Sequence, residues 1–166
     1  MTTPPIKLAF IGVDNPHGFG WRQLLTNFRE EVELTAIVPG FGGSTASLEE
    51  RLVDLPRFDD VDQLLARGTF DGAIVCLPND ENPETIAKLA RAGKHVLAEK
   101  PVAGSAVDVQ PIIAAVEDGG VAFQSGYMWR YDELANRLRN MLAERRIGQL
   151  ISVETTFVTS DVKRRG

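Results

Sequence analysis

Short hydrophobic runs recur along the chain and alternate with segments whose hydrophobic residues have helical spacing. The runs are bounded by glycine, proline or polar residues, which is typical of buried strands. They lie at residues 6–11, 32–38, 71–78, 95–99 and 121–126. Trp21, Leu24, Leu25 and Phe28 follow the spacing of one helix face. Because strands and helices alternate, we predict an α/β fold with right-handed crossovers and a parallel sheet.

Capping residues mark the predicted ends of several helices. A helix over residues 44–55 has Ser44 or Thr45 as its cap. Asp60 is three residues before a glutamine and therefore opens a capping box. Asn82, directly before a proline, is interpreted as the cap of the next helix, and Asp132 as the cap of the last one.

The helix after the fourth strand contains a conflict between its cap and its proline. A start at Ser105 would place Pro111 in the helix interior, at a cost of roughly 3 kcal/mol. A start near Asp108 places the proline in the first turn, where no intrahelical hydrogen bond is lost. We therefore expect the later start, or a kinked helix.

The last hydrophobic segment, residues 149–158, predicts one more strand with no helix after it. We expect a main domain over residues 1–149 and the beginning of a second domain over residues 150–166. An unpaired apolar strand favours association with another chain. The chain is therefore predicted to be a fragment, an isolated domain, or a piece that pairs with a strand of another copy.

Composition narrows the classes of function. The 166 residues carry a net charge of −5, which argues against non-specific nucleic-acid binding. The single cysteine, Cys76, lies in a hydrophobic run, so we predict a packed core thiol, no disulfide and a cytoplasmic location. The sequence predicts no secretion signal, no membrane span and no metal site.

Ligands of open parallel sheets bind beyond the carboxyl ends of the strands, so the turn after the first strand is a candidate site. Its sequence is "GVDNPHGFG", and its candidate cofactor-binding residues are Gly12, Asn15, Pro16, His17 and Gly18. A dinucleotide fingerprint has glycine at three places, and here the second and third hold Asp14 and His17. Asp14 is expected to point away from a pyrophosphate or to cap the helix. His17 either donates to a phosphate or is structural, and the whole turn could also bind nothing.

The second strand ends in Pro39 and not in the acidic residue that binds the ribose of NAD. The loop that follows contains glycines, Ser44 and Thr45. Its backbone N–H groups and hydroxyls could donate hydrogen bonds to a 2′-phosphate, which favours NADP over NAD. A plain loop without a ligand is the alternative.

Three segments together resemble the glucose–fructose oxidoreductase and inositol dehydrogenase (Gfo/Idh/MocA) family, over nearly the whole chain. They are "FDGAIVCLPN", "ARAGKHVLAEKPVAG" and "GYMWRYDELANRLRNMLAERRIGQLISV". The resemblance implies a Rossmann-type doubly wound sheet that binds NAD or NADP, followed by a C-terminal α+β domain. It also implies a sugar, polyol or related hydroxy compound as substrate, and a homo-oligomer formed through the C-terminal sheet.

The same resemblance assigns roles to residues. Lys100 would be the catalytic residue, beside both the nicotinamide and the substrate, and Tyr127 and Arg130 would contact the substrate. Further cofactor contacts would come from the segments after the third and fourth strands, at Leu77, Pro78, Asn79, Glu99, Lys100 and Pro101.

Several features depart from the family pattern. The glycine fingerprint is altered, the ribose-binding acid is missing, and Asn82 occupies a place where the family often has histidine. The second domain, which carries a catalytic histidine, is absent from the 166 residues. We therefore predict an oxidoreductase whose 166-residue part is inactive alone. The alternatives are a non-catalytic nucleotide-binding module and a scaffold that associates through its last strand.

Overall fold

The computed structural model describes residues 4–42, 52, 54–156 and 158. Two compact units divide the chain, Met1–Tyr127 and Met128–Gly166, and each is described by itself. The predicted helix over residues 44–55, with its caps Ser44 and Thr45, lies almost entirely outside the described residues. The boundary at residues 149 and 150 stays a prediction.

Five parallel strands form the sheet of the first unit, in the order β2-β1-β3-β4-β5. They are β1 (Ile6–Ile11), β2 (Val32–Val38), β3 (Gly72–Val75), β4 (His95–Ala98) and β5 (Phe123–Ser125). Ile11 is paired with both Val38 and Val75, and Val75 with Ala98, so four strands end at one level. The predicted parallel α/β sheet is confirmed, and its carboxyl edge can form a single site.

Within the described residues of the first unit, four helices with defined bounds connect these strands. They are α1 (Gly18–Leu25), which continues into a 3₁₀ turn (Thr26–Phe28), α2 (Val61–Arg67), α3 (Asn82–Arg91) and α4 (Ala106–Gly119). The second unit contains a 3₁₀ turn (Met128–Arg130) and α5 (Glu133–Ala143). Asp132 caps α5 as predicted, since its carboxylate accepts a hydrogen bond of 2.8 Å from the backbone N–H of Ala135.

Alternate residues of the strands pack on opposite faces of the sheet, which makes the fold doubly wound. On one face, Ile11 and Val75 belong to a buried cluster that includes Ile86 of α3 and Ile112 of α4. On the other face, Phe10 and Ile74 belong to a second cluster, against which Trp21 and Leu25 of α1 pack. Both clusters are apolar, so the sheet is covered on each side.

The predicted apolar face of α1 is only half right. Trp21 and Leu25 are partly buried, whereas Leu24 and Phe28 are exposed. The α-helix ends at Leu25, and the tighter 3₁₀ turn that follows rotates Phe28 off the predicted face.

Caps predicted from local sequence are confirmed for α2 and wrong for α3. Asp60 accepts a 2.8 Å hydrogen bond from the backbone N–H of Gln63, as expected for an N-cap. Asn82, in contrast, is the first residue of α3, and the cap position is held by Glu81. The buried Asn82 side chain donates instead to the carbonyl oxygen of Pro101, 3.1 Å away. A tertiary contact has replaced the local one.

The later start that we expected for α4 is also wrong. The helix begins at Ala106 with Ser105 as its cap, and Pro111 lies inside it. The backbone N–H of Asp108 donates to the Ser105 hydroxyl, which in turn donates to the Asp108 carboxylate at 2.7 Å. Buried Ile112 and Ala115 hold the helix on the sheet beyond the proline. Capping and packing thus outweigh the cost of the proline.

The strand predicted over residues 149–158 is wrong for the part that the structure describes. Residues 149–156 pair with no described strand, and Leu150, Ile151 and Val153 are exposed. A strand requires a hydrogen-bonded neighbour, and its apolar pattern alone does not provide one.

Candidate functional site

A cleft of about 1020 Å³ opens at the carboxyl ends of β1, β3 and β4. The turn after β1, the segment after β3, the segment after β4 and the helices α3 and α4 surround it. Its lining residues include Asn15, His17, Phe41, Leu77, Pro78, Asn79, Glu99, Lys100 and Pro101. Eight of these nine were predicted as site residues from the sequence, and Phe41 was not.

Backbone constraints hold the turn after β1 against β3. Gly12 has a φ of 71°, and a Cβ atom there would lie 2.3 Å from the carbonyl oxygen of Cys76, so only glycine fits. The buried Asn15 amide donates to that same oxygen at 2.7 Å and accepts from the backbone N–H of His17 at 2.9 Å. These contacts orient the exposed His17 at the N-terminus of α1, beside the cleft.

The Asp14 carboxylate is bonded to the loop after β2, whereas the cap position of α1 is held by His17. The carboxylate accepts hydrogen bonds from the backbone N–H of Gly40 at 2.9 Å and of Phe41 at 3.1 Å, in the loop after β2. Gly40 lies directly beside Leu77, because a Cβ atom at this glycine would be 2.4 Å from the leucine side chain. Asp14 thereby joins the first turn to the end of β2.

Glu99 and Lys100 follow β4 at the floor of the cleft. The Glu99 carboxylate accepts a 2.6 Å hydrogen bond from the indole N–H of Trp21, and its other oxygen is 4.0 Å from the Lys100 ammonium. Glu99 is mostly buried, whereas the Lys100 side chain is 45% exposed and available to a ligand. The indole thus fixes the carboxylate beside the lysine, a contact that the sequence did not predict.

Two further features shape the floor of the cleft. A Cβ atom on Gly126 would lie 3.0 Å from a Glu99 carboxylate oxygen and 3.3 Å from the Trp21 ring, so a larger residue would displace that pair. The Lys100–Pro101 peptide bond is cis, and Asn82 binds the Pro101 carbonyl oxygen.

The wall of the cleft formed by α3, α4 and the segment before α3 is strongly charged, and sequence reasoning missed it. Asp80, Glu84, Arg91 and Asp108 line this wall together with Pro111. The hydrophobic stripe of each helix could have revealed them, since charges opposite a buried stripe face outward. The wall offers hydrogen-bond acceptors and a cation to a hydroxylated ligand.

Several predicted site residues lie away from the cleft lining. Gly12 and Gly18 are buried residues of the turn, Pro16 is an exposed one, and Pro39 follows β2. Ser44 and Thr45 lie outside the described residues. Tyr127 is the last residue of the first unit and is exposed, and Arg130 belongs to the second unit.

Cys76 has the character of a core thiol. Its side chain is fully buried, and burial raises the pKa of its thiol from 9.0 to about 12, with a smaller contribution from the Glu99 charge. The described residues contain no group of three or more His, Cys, Asp and Glu side chains arranged to bind a metal. No described helix is both long enough and apolar enough to cross a bilayer.

Comparison with known sequences identifies relatives. Residues 6–127 match the family model described as "Oxidoreductase family, NAD-binding Rossmann fold". A dTDP-3,4-didehydro-2,6-dideoxy-α-D-glucose 3-reductase of Actinomadura kijaniata is 29% identical over 92% of this chain and 46% of its own length. An inositol 2-dehydrogenase of Salmonella typhimurium is 28% identical over 89% of this chain and 44% of its own length. A 2,7-anhydro-N-acetylneuraminate hydratase of Escherichia coli is 26% identical over 78% and 34%. The chain thus spans less than half of the length of each.

Solved structures show the same fold. The WlbA dehydrogenase of Bordetella pertussis, solved in complex with NADH and UDP-GlcNAcA, has a TM-score of 0.80 at 20% identity, over 90% of this chain and 42% of that one. The myo-inositol 2-dehydrogenase of Lactobacillus plantarum has a TM-score of 0.77 at 22% identity, over 89% and 43%. The family match, the sheet and the cleft agree, and the chain belongs to the Gfo/Idh/MocA oxidoreductase family.

Proposed function

We propose that this chain is the NAD(P)-binding part of an oxidoreductase that acts on a sugar, polyol or related hydroxy compound. One observation carries the proposal: a single cleft at the carboxyl edge of the sheet gathers His17, Asn79 and Lys100. Its volume of about 1020 Å³ is at the upper end of the roughly 300–1,000 Å³ of small-ligand sites. The donors at its mouth and floor suit the phosphates and amide of a dinucleotide.

When bound, the nicotinamide ring supplies the hydride acceptor or donor, and the protein orients the reactants. Lys100 is the proposed catalytic residue, because its ammonium is the exposed cation at the floor beside the mostly buried Glu99. It would hold the substrate hydroxyl and help to move its proton, while the Trp21–Glu99 hydrogen bond keeps the carboxylate in place.

The proposal extends to the surroundings of the protein. We place it in the cytoplasm, because a chain with one fully buried cysteine fits a reducing compartment. The substrate contacts of Tyr127 and Arg130, the second domain from residue 150, and a homo-oligomer formed through that domain are parts of the same proposal. The 166 residues alone are expected to bind nucleotide without turnover, since the matched relatives are more than twice as long.

Titration of this chain with NADH and NADPH, by calorimetry and by energy transfer from tryptophan, tests the proposal. The sharpest variant is His17→Glu, which adds a carboxylate where the pyrophosphate would lie at the N-terminus of α1. We expect it to weaken nucleotide binding by about tenfold or more. The fold should not suffer, because α1 has no acidic residue in its first turn and an acid is favourable there.

Gln23→Glu is the matched control, since it adds the same charge to an exposed position of the same helix, beyond its first turn. Lys100→Ala should change NADH affinity by less than about threefold, yet lower kcat by about 100-fold in whichever form of the protein oxidises a polyol. Absence of binding by the folded starting protein would refute the proposal. Equal effects of His17→Glu and Gln23→Glu would refute the assigned cleft.

A second candidate is a nucleotide-binding module without catalysis. The observation that favours it is the altered turn, in which Asp14 occupies the place of a fingerprint glycine and is bonded to the loop after β2. Tight nucleotide binding, together with no difference in turnover between the starting protein and Lys100→Ala in any assay, would support this candidate over the enzyme.

A further inference from the structure

The end of β2 has an acidic side chain that its own sequence does not supply. Dinucleotide-binding sheets place an Asp or Glu at the end of this strand, where it binds the ribose 2′-hydroxyl. Here the strand continues into Pro39, Gly40 and Phe41. The carboxylate of Asp14 instead crosses from the turn after β1 and accepts hydrogen bonds from Gly40 at 2.9 Å and from Phe41 at 3.1 and 3.2 Å.

The framework around Asp14 holds its carboxylate at this edge. The backbone N–H groups of Gly12 and Val13 both donate to the Val38 carbonyl oxygen, at 2.7 and 3.4 Å. The turn and the end of β2 are therefore joined by backbone as well as by side-chain hydrogen bonds. Asn15, the next residue in the chain, and Phe41, to which Asp14 is bonded, both line the cleft, so Asp14 lies close to the lining.

We propose that Asp14 binds the hydroxyl groups of the adenosine ribose and makes the cleft select NAD over NADP. This inference rests on the proposed function, because it assigns the adenosine end of the same cleft. Phe41, which is 43% exposed and lines the cleft, offers an apolar ring face to the adenine beside that ribose.

The chemistry of the two cofactors differs at one group. The 2′-hydroxyl of NAD brings a hydrogen-bond donor, which a carboxylate oxygen accepts. The 2′-phosphate of NADP brings only acceptors and negative charge to the same oxygen atoms. This reverses the preference for NADP that the loop containing Ser44 and Thr45 led us to expect.

Dissociation constants for NADH, NADPH and 2′-deoxy-NADH, measured by calorimetry, test the inference. We expect NADH to bind this chain about tenfold more tightly than NADPH, and 2′-deoxy-NADH to bind more weakly than NADH. In Asp14→Asn, which keeps one acceptor oxygen for Gly40, the ratio between NADH and NADPH should fall to within about threefold. Glu117→Gln removes the same charge from an exposed position on α4 and should leave the ratio unchanged.

The 2′-deoxy comparison needs no variant, so the inference remains testable if Asp14→Asn does not fold. Equal or tighter binding of NADPH by the starting protein would overturn the inference while leaving the proposed nucleotide site intact. The same holds for a ratio that is unchanged in Asp14→Asn, or for equal binding of NADH and its 2′-deoxy analogue. Failure of all three nucleotides to bind would refute the proposed function itself.

Discussion

The thiol of Cys76 lies one residue beyond β3, completely buried in the cluster that contains Phe10 and Ile74. Its raised pKa affects the stability of the fold as well as the reactivity of the thiol. A thiol that stays protonated in the folded chain but ionises in the unfolded chain makes folding less favourable at high pH. Below pH 9 both states hold the proton, so the effect begins only above the ordinary value of 9.0.

We expect the free energy of unfolding to fall by about 1 kcal/mol more in the starting protein than in Cys76→Ala when the pH rises from 8 to 10. The sign follows from a folded-state pKa of about 12 against 9.0, since the unfolded chain alone releases the proton in this window. Urea unfolding of both proteins at pH 8 and pH 10 measures these free energies. Because Cys76→Ala also removes a packed sulfur atom, its free energy of unfolding differs from that of the starting protein at every pH. The comparison is therefore between the changes in this free energy from pH 8 to pH 10. Equal losses in both proteins would contradict a buried, protonated thiol.

At the residue scale, the sequence predicted which residues line the cleft where that placement depends on strand ends. Lys100 and Asn79 are in the cleft because each follows a strand of a parallel sheet, which the hydrophobic runs already indicate. Asp14 was expected to point away from a pyrophosphate or to cap the helix, and its hydrogen bond from the backbone N–H of Gly40 was not foreseen. Asn82 was misjudged, because a capping residue in the sequence can equally be a buried donor.

Among the elements, α4 shows how a local rule is overridden. The missing hydrogen bond of Pro111 would have been made to the carbonyl of Val107, a residue that is 77% exposed. A carbonyl at the protein surface can bind water, which reduces the cost of the proline. Ser105 provides the start and Ile112 the packing, so the helix forms around the proline.

The Ser105 cap of α4 makes a measurable contribution to the free energy of unfolding. Ser105→Ala removes both the acceptor for the Asp108 backbone N–H and the donor to its carboxylate, and should lower the free energy of unfolding by about 1 kcal/mol. Ser105→Thr keeps the hydroxyl and should cost much less. Chemical denaturation of the two variants in parallel measures both. A loss of similar size in each would mean that the hydroxyl does not cap the helix.

At the scale of the whole molecule, the first unit contains the complete described sheet. The five paired strands and the three buried clusters of the described residues all lie within residues 6–125. The match to the family also ends at residue 127, where the first unit ends. This agreement indicates that the first unit carries its own core.

A chain of residues 1–127 should therefore fold alone, unfold in one cooperative transition and bind NADH within about threefold of the full chain. Circular dichroism with thermal unfolding, together with the same calorimetric titration, tests this expectation. An aggregated or non-cooperative chain would show that the second unit is needed for folding. A folded chain with lost binding would show that it is needed for the site.

The sequence by itself determined the five strands of the sheet, the parallel direction implied by their alternation with helices, and the caps at Asp60 and Asp132. These depend on hydrophobic period and on hydrogen bonds that span three residues. Tertiary structure decided the contacts that build the site, since Asp14 with Gly40, Trp21 with Glu99 and Asn82 with Pro101 are 26, 78 and 19 residues apart. It also decided the conformation of residues 149–156. Their apolar pattern allows a strand, but no described strand pairs with them. Local patterns set what each segment can form, and the packed fold sets which partner each side chain meets.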